Sequence, residues 1–317
     1  MEWRSGYTNF NTSARPAIAA FGGQYHLFFK DDGTNDGIMH VISDNGEAWS
    51  RPRDFYIKWN TSSGPCPVAT DERLHVFFRD SGSHNGLMHV AADDGFTFAA
   101  QDPFYLSQNV YAETRGAVLD DGTICLISRQ DGSDRSSAMV RAVRRPGTSG
   151  WDLGYTGANV KKQDIPSIVV FREQFHVFFP DPNNNGDGIY HIVSNDGVNW
   201  VGAQPYYIGI DTSAGPSAVV CNGRLHLFFR DGGGNNGLMH AESEDGNQWS
   251  QPEYLRINTN SEPCSTVMRN PVTGVEQIVT IFQDRGNART AGIMYVVGSQ
   301  PDAAVMSAQT ADPGARA

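Results

Sequence analysis

The 317-residue chain has no apolar run approaching the ~18 residues that a membrane-spanning helix needs, so membrane insertion is not expected. It has only four cysteines. Cys66, Cys125, Cys221 and Cys264 stand alone with no Cys-x-x-Cys spacing, so they offer no thiolate zinc site and read as buried free thiols. Cationic side chains are scarce, with 24 Lys and Arg against 35 Asp and Glu and a net charge of -11. A phosphate-binding surface is built from the residues in short supply, which excludes nucleic acid as the partner. The cluster Arg141, Arg144 and Arg145 reads as a solvated hairpin tip. The start Met1-Glu2-Trp3-Arg4 lacks a basic, then apolar, leader, so a cytoplasmic protein is expected, or a secreted one whose leader has been removed. No segment reads as a helix.

What the chain has is one paragraph of about 50 residues, written repeatedly. Residues 64–98 align without a gap to 215–249, with 18 of 35 positions identical, too many for chance resemblance between unrelated strands. Arg73-Leu74-His75, Phe77-Phe78-Arg79-Asp80 and Asn85-Gly86-Leu87-Met88-His89 match Arg224-Leu225-His226, Phe228-Phe229-Arg230-Asp231 and Asn236-Gly237-Leu238-Met239-His240. The paragraph returns around His26 to Asp31 and His176 to Asp181, and in worn form around Cys125 to Asp131 and Val279 to Asp284. Six units follow, starting near residues 16, 65, 115, 166, 216 and 263.

Each unit reads as four short strands separated by turn signals. In the second copy these are Cys66 to Ala69, Leu74 to Arg79, Leu87 to Ala91 and a fourth around Phe104 to Leu106. Six such units predict an all-β, six-bladed propeller in one domain over residues 1–300. The last unit lacks a fourth strand after Ile293 to Val297. Residues 3–12 look like the end of such a strand, since Asn11-Thr12-Ser13 matches Asn60-Thr61-Ser62, so the N-terminus is expected to complete blade six. Residues 301–317 are then a surplus, mobile tail.

Four histidine pairs recur: His26/His40, His75/His89, His176/His191 and His226/His240. Where the first becomes Cys125 the second becomes Val140, and this joint loss marks cross-strand neighbours satisfied by one another rather than metal ligands.

The turn between third and fourth strands reads Asp44-Asn45-Gly46-Glu47-Ala48-Trp49, Asp93-Asp94-Gly95-Phe96-Thr97-Phe98, Asn195-Asp196-Gly197-Val198-Asn199-Trp200 and Glu244-Asp245-Gly246-Asn247-Gln248-Trp249. This resembles the Asp-box, or bacterial neuraminidase repeat, of sialidase-fold propellers. The place of that family's leading Ser holds Ile42, Ala91, Val193 and Glu242, and blade three carries Pro146-Gly147-Thr148-Ser149-Gly150-Trp151 instead. Asp-boxes are structural, so the resemblance implies fold rather than chemistry.

Function is expected on the opposite rim, where the fourth-to-first and second-to-third strand connections emerge. There the first reading is a multivalent glycan-binding protein, similar in architecture to six-bladed fucose-binding lectins. Lys30, Arg79 and Arg230 would donate to sugar hydroxyls, Asp31, Asp80 and Asp231 would accept, Asn85 and Asn236 would do both, and Trp59 would offer a stacking face. The second reading is a glycoside hydrolase with one site over the central channel. The stretch from Glu113 through Asp121-Gly122 to Arg129 resembles a sialidase segment in which Glu activates a Tyr nucleophile and Arg binds the substrate carboxylate. That resemblance would make Glu113 the base, and Arg15, Arg115 and Arg129 the anchors of an acidic group. Asp164 or Glu262 would be the acid, because carboxylates preceding first strands of different blades converge on the channel mouth. No cofactor is required by either reading. The oxygen-rich loops Asp31 to Gly37 and Asp181 to Gly188 would suit calcium, although Asx turns explain them more simply.

Overall fold

A computed structural model describes the chain apart from residues 34, 83–84, 112, 131–137, 161–163, 182–187, 234–235, 271–273, 285–290 and 300–317, and apart from the side chains of 202–205. The tail expected at 301–317 lies outside the described residues. The described residues form 24 strands and no helix. The chain opens with β1 (Glu2–Thr12). Blade one follows as β2 (Ala17–Phe21), β3 (Gln24–Lys30), β4 (Gly37–Ser43) and β5 (Tyr56–Asn60). Blade two is β6 (Cys66–Ala69), β7 (Leu74–Arg79), β8 (Gly86–Ala92) and β9 (Ala99–Asn109). Blade three is β10 (Arg115–Val118), β11 (Ile124–Arg129), β12 (Ala138–Arg144) and β13 (Asp152–Asn159). Blade four is β14 (Ser167–Phe171), β15 (Gln174–Pro180), β16 (Gly188–Ser194) and β17 (Trp200–Asp211). Blade five is β18 (Ser217–Cys221), β19 (Arg224–Arg230), β20 (Gly237–Ser243) and β21 (Glu253–Asn258), and blade six holds β22 (Cys264–Arg269), β23 (Glu276–Gln283) and β24 (Ala291–Ser299).

All six sheets are four-stranded and antiparallel, and the sixth has the order β1-β24-β23-β22. The N-terminal strand therefore closes the ring by hydrogen bonding to the last blade. The first strands form the inner wall, since β2, β6, β10, β14, β18 and β22 each touch the next in that order and β22 touches β2. The long Phe-Phe strands lie second from the axis, buried on both faces between neighbouring blades. Phe28, Phe77, Phe178 and Phe228 are fully buried, and each hydrophobic cluster draws on two adjacent blades. No blade can bury both faces alone, which is the physical reason the repeats must close.

The Asn/Asp-Gly turns hold themselves. In all four, the Asn or Asp oxygen accepts the backbone N–H groups two and three residues on, as Asp196 does from Val198 (2.8 Å) and Asn199 (2.7 Å). The following glycines, Gly46, Gly95, Gly197 and Gly246, have φ between 72° and 79°. Burial works against ionising Asp196, yet the Asn199 and Val198 N–H groups outweigh it and hold its pKa down at about 2. The turn hydroxyl sits one residue later than expected: Ser43, Ser194 and Ser243 accept the glycine N–H at 2.8–2.9 Å. Each turn leans on the preceding blade. Gly95 packs beside His26, and Trp249 meets Phe178 edge-on at 5.6 Å. Trp3 does the same for blade five, edge-on to Phe228 and His240.

The histidine pairs are cross-strand contacts, with Nδ1 of the second-strand ring 2.9–3.0 Å from Nε2 of its third-strand partner. Blade three differs from the expected pattern by one position. Strand register sets Arg141, not Val140, opposite Ile127, just as His89 stands opposite Phe77. Arg141 is therefore no part of a solvated tip. It is 7% exposed and donates to the Asp152 carboxylate and carbonyl.

Candidate functional site

At the hub, the loops leading into the first strands bring Glu113, Asp164 and Glu262 together around Arg15. Arg15 Nη1 donates to Glu113 Oε2 at 3.0 Å, and its Nε contacts Glu262 Oε2. The Gly64 N–H donates to Glu113 Oε1 at 3.1 Å. These loops pass so closely that a Cβ on Gly64 would lie 2.2 Å from the Arg15 carbonyl oxygen, and one on Gly215 2.2 Å from that of Ile165. All three acids are buried. Burial pushes both glutamates toward neutrality, but Arg15 and the Gly64 N–H hold Glu113 below the ordinary carboxylate range. In Glu262, burial together with repulsion from Glu113 and Asp164 outweighs Arg15 and raises the pKa.

The acids converge as their sequence positions suggested, but two of the arginines expected to anchor a substrate, Arg15 and Arg129, are engaged within the protein. Arg15 faces Glu113 and Glu262. Arg129 is 2% exposed, lying beneath the Tyr111 ring with its guanidinium carbon 4.2 Å from the ring centroid. Arg115 turns inward, donates to the Thr114 carbonyl (3.3 Å) and lowers the Glu113 pKa.

The repeated rim residues have loop-holding tasks. Lys30 pairs with Asp36 at 2.8 Å, Arg79 Nη2 contacts Asn85 Oδ1, and Arg230 donates to the Ser213 hydroxyl (2.6 Å) and carbonyl (2.9 Å). Asp36, Asn85 and Asn236 sit at φ of 53°, 52° and 53°, a left-handed position that Asn and Asp tolerate better than most residues. The Asp31 and Asp80 carboxylates fold over Gly33 and Gly82, and Asp231 Oδ1 accepts the Gly233 N–H at 3.2 Å. Trp59 is not a free stacking face. It is half-buried, packed on Phe104 with centroids 4.8 Å apart and on Phe78 at 6.3 Å. Among the described residues no group of three or more His, Cys, Asp or Glu is placed to hold a metal ion, and much of the Asp181 to Gly188 loop lies outside them.

Beside these loops stands a feature the sequence reading missed. Each outer strand carries an exposed tyrosine at an equivalent position, Tyr7, Tyr56, Tyr105, Tyr155, Tyr207 or Tyr254, exposed by 42–58%, and blade four adds Tyr206 beside it. Two residues on, the backbone turns to positive φ at Asn9, Lys58, Ser107, Gly157, Gly209 and Arg256. Four residues on comes Asn11, Asn60, Asn109, Asn159, Asp211 or Asn258. In four blades the tyrosine hydroxyl donates to that side chain at 2.8–3.1 Å; Tyr7 donates to Asp284 instead, and Tyr155 accepts from Gln130.

The rings of Tyr56, Tyr105, Tyr207 and Tyr254 cover Gly37, Gly86, Gly188 and Gly237, where a Cβ would lie 2.8–2.9 Å from ring carbon. One ring face is thus pressed on the sheet and the other is left to solvent. Gly86 directly follows Asn85, so the tyrosine shelf and the Arg79 loop are one continuous surface. Between blades two and three this surface deepens into a cleft of about 430 Å³ lined by Tyr105, Asn109, Gln130 and Tyr155.

No protein-family model and no curated protein matches the chain by sequence. Solved structures do match in shape. A protein of unknown function from Dyadobacter fermentans superposes with a TM-score of 0.69 at 13% identity, covering 93% of this chain and 98% of its own. The six-bladed fungal lectin of Aleuria aurantia, described as having a novel fucose recognition mode, gives 0.64 at 13% identity over 94% and 98%. AofleA of Arthrobotrys oligospora gives 0.61 at 10% identity over 94% and 90%. At such identities the similarity establishes the six-bladed propeller fold that this chain shares with fucose-binding lectins.

Proposed function

We propose that this protein is a multivalent carbohydrate-binding protein, with its sites on the tyrosine shelves and the loops beside them. The observation that carries this reading is the repetition of a half-exposed tyrosine in all six blades, which in four of them has its hydroxyl fixed by the Asn or Asp four residues on and one ring face pressed on a glycine. A tyrosine offers a rigid, amphipathic contact area with few torsions to freeze. A sugar's apolar face stacks on the ring, and its hydroxyls meet Asn60, Asn109, Asp211 or Asn258. Lys30, Asp31, Arg79, Asp80, Asn85, Arg230, Asp231 and Asn236 supply further donors and acceptors at the adjoining loops. Weak sites on a rigid ring combine into useful avidity toward a glycan-bearing surface. The fucose-binding lectins among the fold neighbours support the reading. We further assign the Asn/Asp-Gly turns to the Asp-box type, which concerns the scaffold and not the ligand.

The opposed pKa shifts of Glu113 and Glu262 favour a second reading, a sialidase-fold glycoside hydrolase acting at the hub. Substitution separates the two. Each single change among Tyr56→Ala, Tyr105→Ala, Tyr207→Ala and Tyr254→Ala should lower avidity for an immobilised glycan by roughly 2- to 10-fold, and the four together should abolish it. Unchanged avidity in the fourfold variant, with complete loss in Glu113→Gln, would transfer the function to the hub.

A further inference from the structure

The opposite face holds a second cleft, where the repeat is broken. In blades two and five the Asn/Asp-Gly turn covers the second-strand histidine of the blade before it, Gly95 against His26 and Gly246 against His176. Blade three has no such turn. Trp151 still meets Phe77 and His89 edge-on, but the space above His75 is open. A cleft of about 440 Å³ fills it, with His75 among the lining residues.

The proton on His75 follows from its sister pair. His26 Nε2 lies 3.2 Å from the Phe21 carbonyl, which only accepts, so Nε2 carries the hydrogen and Nδ1 accepts from His40 Nε2. His40 Nδ1 is then a bare acceptor, in keeping with its lack of a partner. The His75 pair repeats this, with the same 2.9 Å contact and a partnerless His89 Nδ1. His75 Nε2–H therefore points out of its pair as a donor, but no acceptor among the described residues meets it. Thr70 replaces Phe21 and turns its own hydroxyl to the Arg73 carbonyl at 3.2 Å. A side chain only 6% exposed thus presents an unanswered donor to a cleft.

Two guanidinium groups stand over the same cleft. Arg144 is half-buried and Arg145 exposed, and neither side chain has a partner among the described residues. Arg73 lines it too but is engaged by Asp93 at 2.6 Å. Asp71, Glu72, Asp120 and Asp121 stand exposed at the margin. This distribution selects among anions. A guanidinium fork matches a carboxylate, while four surrounding acids repel a dianion more strongly than a monoanion and accept from neutral or cationic donors.

We propose that this cleft binds a small monocarboxylate whose remainder carries hydroxyl or ammonium donors, the carboxylate lying against Arg144 and the Nε2–H of His75. The site is separate from the tyrosine shelves and does not depend on the carbohydrate-binding reading.

The test is titration of the full chain with glucuronate, glucose and inorganic phosphate, followed by the imidazole N–H resonances. Glucuronate should shift the His75 resonance saturably, glucose should not, and phosphate should bind more weakly than glucuronate. Arg144→Gln should weaken glucuronate binding at least about tenfold, with Arg144→Lys intermediate because it keeps the charge and loses the fork. Unshifted His26 and His176 resonances confirm that each variant is folded. Tighter binding of phosphate, an equal response to glucose, or a glucuronate affinity indifferent to Arg144→Gln would overturn the proposal.

Discussion

Between pH 6.5 and about 4 the protein should lose most of its stability, through its histidines rather than its carboxylates. Burial holds His26, His75 and His176 down at about 4, and their partners His40 and His191 at about 3 with the neighbouring ring adding repulsion. His240 is likewise at about 3. An unfolded chain takes up these protons near pH 6.5, while the native pairs refuse them until much lower. The neutral pairs therefore contribute their full stability above pH 6.5, and this is lost as pH falls toward the native values. Each pair titrates as a unit, and holding off its first proton from pH 6.5 down to about 4 contributes ~3 kcal/mol. Three such pairs sum to ~9 kcal/mol, comparable with the ~5–15 kcal/mol that holds a typical domain together. The check is the slope of unfolding free energy against pH. An uptake of two or more protons on unfolding near pH 5.5 is expected, whereas a flat profile down to pH 4 would mean that the rings are not sealed between blades.

Arg15→Met is the second large effect. It leaves Glu113, Glu262 and Asp164 facing one another in a buried hub with their main counter-charge gone. Breaking a buried ion pair from one side costs about 3–5 kcal/mol, because the stranded charge remains desolvated. Its partners should respond unequally. Glu113 is held below its ordinary pKa, so the fold favours its charge, and Glu113→Gln should destabilise at pH 7. Glu262 is raised, so the fold disfavours its charge, and Glu262→Gln should be near neutral or stabilising. Thermal melts of the three variants at pH 7 would show whether Arg15 ties blades one, three and six together in this way.

The period of the repeat was enough to reveal the blades, because each strand's burial follows from Phe-Phe runs and Gly-containing turns that stand in the sequence unchanged. Closure by β1 was legible in Asn11-Thr12-Ser13 for the same reason. The tyrosine shelf was not. Its parts, Tyr, a positive-φ residue and Asn, lie in the most variable strand, and the position between them is filled by Asn, Lys, Ser, Gly or Arg according to blade. The one signal in the letters is the spacing Tyr-x-x-x-Asn or Tyr-x-x-x-Asp, which recurs in all six outer strands. The rim residues were legible as polar repetition, but their part in the loop was not: Arg79 contacts Asn85, which takes a left-handed conformation, and a string of letters shows neither. In blade three, a one-residue slip in alignment concealed Arg141 in the place of a histidine, and only strand register reveals it.

The most direct test of the carbohydrate-binding reading is a glycan-array screen of the purified protein, followed by calorimetry and mass analysis with the best glycan. Several intact glycan molecules should bind per chain, with affinity reduced by changes at Tyr56, Tyr105, Tyr207 and Tyr254. A single site per chain, or release of a terminal sugar abolished by Glu113→Gln, would contradict it and make the buried acids around Arg15 the functional centre.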